Sequence, residues 1–366
     1  MKVIIATCFQ SNEERVNFVY DACKNRGYEV KAYTSDFSHV KKEKRDSVPE
    51  QFTVIKTKPY KKNMSIQRMN SHRIFSKDLF QQIEIDNPNL LWIMAPANSL
   101  IKEANNYKKK HPDKKIIIDI IDMWPESLPV NFNKNMIPFS WWKNVRTKNI
   151  NCGDILVTEC DLYQEILKNE YSGKIETIHW ARDSKAIKTE NELPEDNLSL
   201  VYIGSINNII DTEKIAGIIK GIDMPVTLHV VGEGENTQHF LDTLKGVCEV
   251  IYHGPIRDEE KKNEIFAKCH AGINVYKEGL YIGLTVKCID YFEHGLPIIN
   301  NINGDTWNFV NEYNAGINVD KDNLINGKKL IEMRKNNQKI YNLYNENLTK
   351  EIFTEKCLKV IDEVLK

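Results

Sequence analysis

The sequence lacks a long hydrophobic run and a strong net charge, and each absence excludes a class of protein. No apolar run approaches the roughly 18–20 residues that span a bilayer. The N-terminal apolar stretch, Val3–Thr7, is shorter than the roughly 7–15 residues of a signal-peptide core. The 366 residues include 50 Lys and Arg against 51 Asp and Glu, for a net charge of −1, which is unlike a uniformly basic nucleic-acid binder. We therefore expect a cytoplasmic protein, soluble or peripheral to a membrane, with no nucleic-acid partner.

Closely spaced cysteines are also missing. None of the eight cysteines lies in a C-x-x-C pair, so the ligand spacing of a zinc site is absent. We expect reduced, mostly buried thiols, as in a cytosolic protein. Glycine and proline are few, at 17 and 12 residues, and apolar residues make up 41% of the chain. This composition is typical of a globular protein rather than of a disordered or collagen-like one.

Strand-like and helix-like segments alternate along nearly the whole chain. Runs such as Val3–Thr7 and Lys115–Ile121 are separated by helical stretches such as Asn12–Arg26, a pattern typical of parallel sheets with helices on both faces. The polar residues 181–197 lack an apolar period, and we interpret them as a linker. A second alternating series begins at Leu198–Ile203. The sequence therefore predicts an α/β protein of two doubly wound, Rossmann-like domains, with the active site in the cleft between them.

Charge is divided unevenly between the two halves of the chain. Residues 1–180 carry 28 basic and 22 acidic side chains, a net of +6, and residues 181–366 carry a net of −7. Within the first half, residues 39–77 hold 11 basic and 3 acidic side chains, a net of +8. Such a stretch is either a solvated, lysine-rich surface or a site of contact with anionic lipid, to which each basic residue contributes about 1 kcal/mol. We favour peripheral contact of the first domain with an anionic membrane.

The residues with the clearest chemistry lie in the segment 281–299. Thr285 is a good N-cap residue, so a helix that starts there points its free amides and its positive dipole end at the preceding loop. Lys287 adds a full positive charge in the first turn, and Asp290 lies three residues further along the same face. The alternative is a surface ion pair, but the flanking glycines and prolines favour a site for phosphate and sugar hydroxyls.

This segment resembles the GT-B-fold retaining glycosyltransferases of group 1 type. In that family the helix follows a Gly-Leu loop, here Gly283 and Leu284, and carries Lys three residues before an acidic residue, here Asp290. The helix ends in a Gly-x-Pro turn, here residues 295–297. The run is most similar to that of bacterial capsule and exopolysaccharide enzymes, including the residues 300–307 that follow it.

The resemblance implies a domain arrangement. An N-terminal, acceptor-binding domain would cover residues 1–182, and a nucleotide-sugar-binding domain would cover residues 183–349. The C-terminal helix, residues 350–366, would pack back on the first domain. Its apolar residues recur at helical spacing and form a stripe that must be buried.

The resemblance also implies the residues of the site. The strand and turn that end at Gly204 and Ser205 match the phosphate-facing turn of the second domain, although many members have Arg where this chain has Ser205; Arg182 or Lys214 would then replace that cation. The loop around His253 matches the one that contacts the nucleobase. The residues implied to bind the donor are Gly204, Ser205, His253, Ile256, Gly283, Leu284, Thr285, Lys287 and Asp290. Those implied to be catalytic are Asp122 and Glu126, at the end of an apolar strand of the first domain, and Lys287.

The function implied is transfer of a hexose from a nucleotide-diphosphate sugar, taken as UDP-linked, with retention and without a metal or other cofactor. The acceptor would be a lipid-linked molecule or an oligosaccharide in cell-surface polysaccharide synthesis. Two alternatives remain open at this point. One is a nucleotide-sugar epimerase of the same fold, and the other is a non-catalytic GT-B subunit that binds a partner.

Overall fold

The structure, a computed structural model, describes residues 1–63, 65–127, 139–187, 193–320 and 324–366. It divides into two compact units, of which the first comprises Met1–His179 and Phe353–Lys366 and the second comprises Trp180–Ile352. None of the helices within these ranges combines the length and the apolar character needed to cross a membrane. All eight cysteines are free, and all but Cys248 are buried.

The first unit is built on a parallel sheet. Its strands are β1 (Lys2–Thr7), β2 (Glu29–Ser35), β3 (Phe37–Ser38), β4 (Glu43–Lys44), β5 (Phe52–Ile55), β6 (Leu90–Ala95), β7 (Lys115–Ile120), β8 (Ile155–Thr158) and β9 (Lys174–Thr177). Seven of them form one sheet in the order β5-β2-β1-β6-β7-β8-β9, with every pair parallel. The short strands β3 and β4 form a separate antiparallel pair. The helices are α1 (Glu13–Asn25), α2 (Ile66–Asp86), α3 (Asn98–Lys110), α4 (Phe139–Thr147) and α5 (Asp161–Leu167).

The second unit repeats this plan with six strands. They are β10 (Leu198–Ile203), β11 (Val226–Val231), β12 (Glu249–Gly254), β13 (Ala271–Asn274), β14 (Ile298–Asn300) and β15 (Gly316–Asn318). Their order is β12-β11-β10-β13-β14-β15, again all parallel. The helices are α6 (Thr212–Lys220), α7 (Thr237–Lys245), α8 (Glu259–Phe266), α9 (Val286–Glu293), α10 (Asp305–Tyr313), α11 (Gly327–Lys335), α12 (Gln338–Asn347) and α13 (Lys350–Val364), whose last part belongs to the first unit.

Alternation along β10 explains why its sheet is covered on both faces. Leu200 and Tyr202 lie in one hydrophobic cluster of the second unit, whereas Val201 and the partly buried Ile203 belong to another. Successive side chains of a strand point to opposite faces, so an unbroken apolar run requires a helical layer on each side. The predicted α/β fold of two doubly wound domains is confirmed.

Residues 181–187 of the polar segment that we interpreted as a linker are packed against the rest of the second unit, so that interpretation is wrong for these residues. The backbone of Arg182 bonds to Leu348 and Lys350, and the hydroxyl of Tyr344 donates to the carbonyl oxygen of Ser184 at 2.8 Å. Further along, the amide of Ile187 donates to the carbonyl of Glu293 at 2.7 Å. The division between the units accordingly falls after His179, three residues before the boundary expected at 182. Residues 188–192 lie outside the described ranges.

Candidate functional site

Lys287 and Gly204 meet at the carboxyl ends of the strands of the second unit. The order of this sheet reverses between β10 and β13, and ligands of such sheets bind beyond the carboxyl ends at that point. Gly204 directly follows β10 with a φ of +119°. A methyl group placed on Gly204 would lie 3.8 Å from the Nζ of Lys287. The lysine of α9 therefore reaches the turn after β10, and two residues expected in one site are neighbours.

The ammonium group of Lys287 is buried, and none of the residues that the structure describes forms an ion pair with it. The residue is only 8% exposed, and no described residue forms a hydrogen bond with its Nζ. The nearest aromatic rings are those of Tyr202 and Tyr276, whose centroids lie 4.0 and 4.9 Å from the Nζ. Burial lowers the pKa of Lys287 to about 7, because desolvation penalises the charged form. An anion bound at this nitrogen would remove most of that penalty.

Thr285 occupies the predicted N-cap position of α9, but its side chain does not cap the helix. Its hydroxyl donates instead to the Oδ1 of Asn274 at 2.9 Å. The first amides of α9 are therefore not bonded by this side chain, which suits a helix end that receives an anion. The preceding loop is held from the other side, since the amide and hydroxyl of Thr306 both donate to the carbonyl of Gly283, at 2.9 and 2.7 Å. Leu284, which lies between Gly283 and Thr285 in the sequence, is buried in the core of the second unit.

A chain of asparagines fixes Thr285 to the sheet, and the sequence analysis missed it. The Nδ2 of Asn274 donates to the Oδ1 of Asn300 at 2.8 Å, and the Nδ2 of Asn300 donates to the Oδ1 of Asn318 at 2.7 Å. These residues are the last of β13, β14 and β15 and are paired in register. The sequence does contain a signal for this chain of asparagines, because all three strands end in Ile-Asn. Three side chains at equivalent positions of adjacent parallel strands must lie side by side.

Asp290 is engaged with Arg182 rather than left open. The Nε and Nη2 of Arg182 lie 2.8 and 2.7 Å from the same oxygen, Oδ1, of Asp290. We considered Arg182 as a replacement for the cation that is missing at Ser205. In the structure its guanidinium is paired with Asp290 instead. The other candidate, Lys214, lies 3.7 Å from the exposed carboxylate of Glu278. Of these three cations, Lys287 is the one that lies against Gly204, in the turn after β10.

The turn after β10 is narrow. A methyl group on Gly232, at the end of β11, would lie 2.0 Å from the carbonyl oxygen of Gly204, so only glycine permits this approach of the two backbones. The carbonyl of Ser205 accepts a hydrogen bond of 2.8 Å from the hydroxyl of Tyr202. The side chain of Ser205 itself is exposed. The turn thus presents main chain and a small side chain beside the ammonium of Lys287.

His253 forms a pair with His229 on the neighbouring strand. The Nε2 of His253 lies 3.0 Å from the Nδ1 of His229, and the rings are parallel with centroids 5.3 Å apart. Burial is the main cause that lowers the pKa of both, to about 4 for His229. One ring must donate and the other accept, so the neutral forms suit the pair. Ile256, the next predicted residue, packs against the cluster that contains Leu284.

In the first unit, Asp122 and Glu126 have different surroundings. Asp122 is partly buried after β7, and burial raises its pKa although hydrogen bonds from Ser127 and Trp124 and the charge of Arg68 oppose the shift. A carboxyl whose pKa is raised by burial is a candidate for proton transfer in a reaction. Glu126 instead receives two hydrogen bonds, of 2.9 and 2.6 Å, from the buried guanidinium of Arg146. This arrangement favours a positioning role for Glu126 over contact with substrate.

Comparison with known proteins identifies the fold. No protein-family model and no curated protein matches the chain. Among solved structures, sucrose-phosphate synthase from Thermosynechococcus elongatus is similar over 100% of this chain and 99% of its own, with a TM-score of 0.76 at 11% identity. Anabaena HepE in complex with UDP covers 99% of this chain and 100% of its own, with a TM-score of 0.68 at 10% identity. The lipopolysaccharide outer core galactosyltransferase WaaB, in its apo form, covers 99% of both chains, with a TM-score of 0.64 at 11% identity. The chain therefore has the GT-B fold, with its two Rossmann-like domains in succession.

Proposed function

We propose that this protein is a glycosyltransferase that uses a nucleotide-diphosphate sugar. The observation that carries the proposal is the buried ammonium of Lys287, which has no hydrogen-bond partner among the described residues and lies at the first turn of α9 beside Gly204. A buried cation without a counter-ion is costly, and a diphosphate held between the amides of α9 and Lys287 would neutralise it. The fold adds support, because ligands of doubly wound sheets bind at this edge.

The donor is proposed to be UDP-linked. Anabaena HepE, which shares the fold, has been solved with UDP, with UDP and glucose, and with UDP-glucose. In our proposal the diphosphate lies over Gly283, Leu284 and Thr285, and Asp290 accepts hydrogen bonds from the ribose. The main chain around His253 and Ile256 would contact the base. Arg182 holds one carboxylate oxygen of Asp290 and would thereby orient it toward the ribose.

The chemical step is proposed to retain the anomeric configuration without a metal. The departing diphosphate would accept the proton of the acceptor hydroxyl, and Lys287 would stabilise the charge that develops on it. The first unit would supply the acceptor, with Asp122 as its catalytic carboxyl and Glu126 positioned through Arg146. The acceptor is proposed to be lipid-linked and to belong to the synthesis of a capsule or exopolysaccharide at the inner face of the cell membrane.

The test is to incubate the protein with labelled UDP-sugars and a lipid-linked acceptor pool, in the presence of a chelator, and to follow free UDP and the labelled products. We expect acceptor-dependent release of UDP and a product with the anomeric configuration of the donor. Lys287→Met is the matched variant, because it keeps the length and loses the charge. A new nucleotide sugar without release of UDP would identify an epimerase, and no conversion together with retained nucleotide binding would identify a non-catalytic subunit.

A further inference from the structure

An apolar groove lies wholly within the first unit, between α2, α3 and α4. It encloses about 380 Å³, within the size range of small-molecule sites. Its apolar lining includes Ile66, Met69, Trp141, Trp142 and Val145. Ile66 and Trp141 remain 84% and 56% exposed at its edge. Exposed apolar side chains that adjoin one another around a groove are typical of a binding surface.

A cationic cluster adjoins this groove; we call it the Arg68 cluster, and it consists of Phe9, His39, Tyr60, Arg68, His72 and Trp124. The guanidinium carbon of Arg68 lies 3.8 Å from the centroid of a Trp124 ring. Arg68 is only 3% exposed, and among the described residues its Nε has no hydrogen-bond partner. The same holds for the Nε2 of His72, which is also 3% exposed. Two buried polar atoms without partners in one cluster indicate a ligand that would satisfy them.

His72 joins the groove to the Arg68 cluster. His72 is one of the residues that line the groove, and the centroid of its ring lies 6.2 Å from that of Trp124 in a stacked arrangement. A second link is the contact of Trp124 with Trp142, whose ring centroids are 5.5 Å apart. The apolar groove and the buried cation of Arg68 are thus adjacent within the first unit.

The charges around the junction favour an anion over a neutral group. Arg68 keeps its charge at any physiological pH, and the Nζ of Lys42 lies 5.3 Å from the ring of Tyr60 in the same cluster. Arg73 and Lys102 add two cations to the lining of the groove, against the single carboxylate of Glu103. The negative charge of Asp122 acts on Arg68. The hydrogen bonds that Asp122 accepts, however, come from Ser127, Trp124 and Met123.

We propose that the first unit binds a single-chain phosphorylated amphiphile, with its phosphate at Arg68 and its apolar chain in the groove. Within the proposed function, on which its role in the reaction rests, this molecule is the acceptor. The binding itself does not depend on donor or on transfer. The same chemistry is presented by a phospholipid headgroup in a bilayer and by a monomeric alkyl or prenyl phosphate, and the experiment separates the two sources.

The experiment measures, by calorimetry on the full chain, binding of monomeric dodecyl phosphate, neutral dodecyl maltoside and inorganic phosphate, and binding of phosphatidic acid vesicles. Three variants accompany the wild type. Ile66→Ser and Trp141→Glu alter exposed groove residues, and Ile85→Ser is the matched control. Ile85 is on the same helix and 76% exposed, but does not line the groove. A fourth variant, Arg68→Gln, tests the headgroup site.

We expect dodecyl phosphate to bind at least about tenfold more tightly than either the neutral detergent or inorganic phosphate. Ile66→Ser and Trp141→Glu should each weaken this binding by roughly tenfold or more, because each removes apolar surface that the bound chain would cover, whereas Ile85→Ser should leave it unchanged. Arg68→Gln should abolish the preference for phosphate. Binding to vesicles alone, with none to monomeric dodecyl phosphate, would overturn the groove in favour of a surface contact.

Equal affinity of the wild type and the two groove variants would also overturn the proposal, as would an equal loss in Ile85→Ser. If Arg68→Gln fails to fold, the groove variants still test the groove, and the wild type's affinities for dodecyl phosphate, dodecyl maltoside and inorganic phosphate still test the preference for a phosphate headgroup. Failure of the proposed function would appear differently, as absence of UDP binding and release with binding of dodecyl phosphate intact.

Discussion

The ammonium of Lys287 lies over the ring of Tyr202, 4.0 Å from its centroid, and no described residue supplies it with a hydrogen bond. A ring face offers a cation only a modest attraction, so this lysine is left to interact with a ligand. We predict that Lys287→Met weakens UDP binding roughly 10- to 100-fold, since a hydrogen bond to a charged group contributes about 1.5–3 kcal/mol. Calorimetry measures the change, and Lys214→Met is the control. An affinity for UDP that is unchanged in Lys287→Met would contradict the assignment of the site.

The pH dependence of stability should report the same lysine. Burial lowers the pKa of Lys287 to about 7 in the folded chain, from 10.5 in the unfolded one. Between these values the unfolded state binds more protons, so this group makes the folded state more stable as the pH rises from about 7 to about 10.5. Below about pH 7 the cost of the buried charge is fully present. Urea midpoints of the wild type should therefore gain on those of Lys287→Met as the pH rises, and parallel curves would refute this.

Affinity for the donor should change with pH in the opposite direction. A bound diphosphate favours the charged form of Lys287, so binding takes up a proton wherever the free lysine is neutral. Affinity for a UDP-sugar should fall as the pH rises above about 7. Calorimetry in buffers of different ionisation enthalpy measures the proton directly. Lys287→Met should show neither the fall nor the uptake.

The asparagine chain should contribute to stability through its central member. Asn300 is fully buried, and its side chain bonds to Asn274, Asn318 and the backbone of Ile302. Asn300→Ala leaves several of these groups unsatisfied, at about 1–3 kcal/mol for each buried one. We expect the free energy of unfolding to fall by at least about 2 kcal/mol. Asn318 is partly exposed, so Asn318→Ala should have a smaller effect in the same denaturation experiment.

Substitutions of Asp122 and Glu126 should differ in their effects on turnover and on stability. Because burial raises the pKa of Asp122, its ionised form opposes folding at neutral pH. Asp122→Asn should therefore lower turnover without loss of thermal stability. Glu126→Gln should destabilise the fold by about 1.5–3 kcal/mol, since Arg146, only 1% exposed, loses one of its two carboxylate partners and keeps Glu170. Unfolding curves and UDP release distinguish the two, and the reverse result would exchange their roles.

Contact with an anionic membrane should depend on a subset of the basic residues in the stretch 39–77. Lys42 and Lys44 already have partners within the first unit: Lys42 donates a hydrogen bond to Asn63, and Lys44 forms an ion pair with Asp36. Lys61 and Lys62 are exposed. Changing these two to Gln should reduce co-sedimentation with anionic liposomes at low salt, and high salt should abolish it. Equal sedimentation of the wild type and the variant would rule out this surface.

The fold was predictable from the sequence because the signals that specify it are local. Alternating strands and helices predict parallel sheets, and the edge rule for such sheets places Gly204 and the start of α9 at one point. The partners of the charged groups were not predictable in this way. Arg182 and Asp290 are 108 residues apart in the sequence, and Arg146 and Glu126 are 20 residues apart. Periodicity determines which face a side chain occupies but not which opposite charge will lie across from it.

The chain leaves its first unit after His179 and returns to it at Phe353, and this order has a consequence for synthesis. The ring of Phe353 packs edge-on against Phe18, with centroids 5.4 Å apart, and lies 5.0 Å from the guanidinium carbon of the buried Arg15. A ribosome that translates from the N-terminus therefore delivers these closing residues only after the whole second unit. Until then, the first unit exposes the surface around Phe18 that α13 will cover. Chaperones that bind apolar surface have that interval in which to act, and a chain cut before Phe353 would keep the surface exposed permanently.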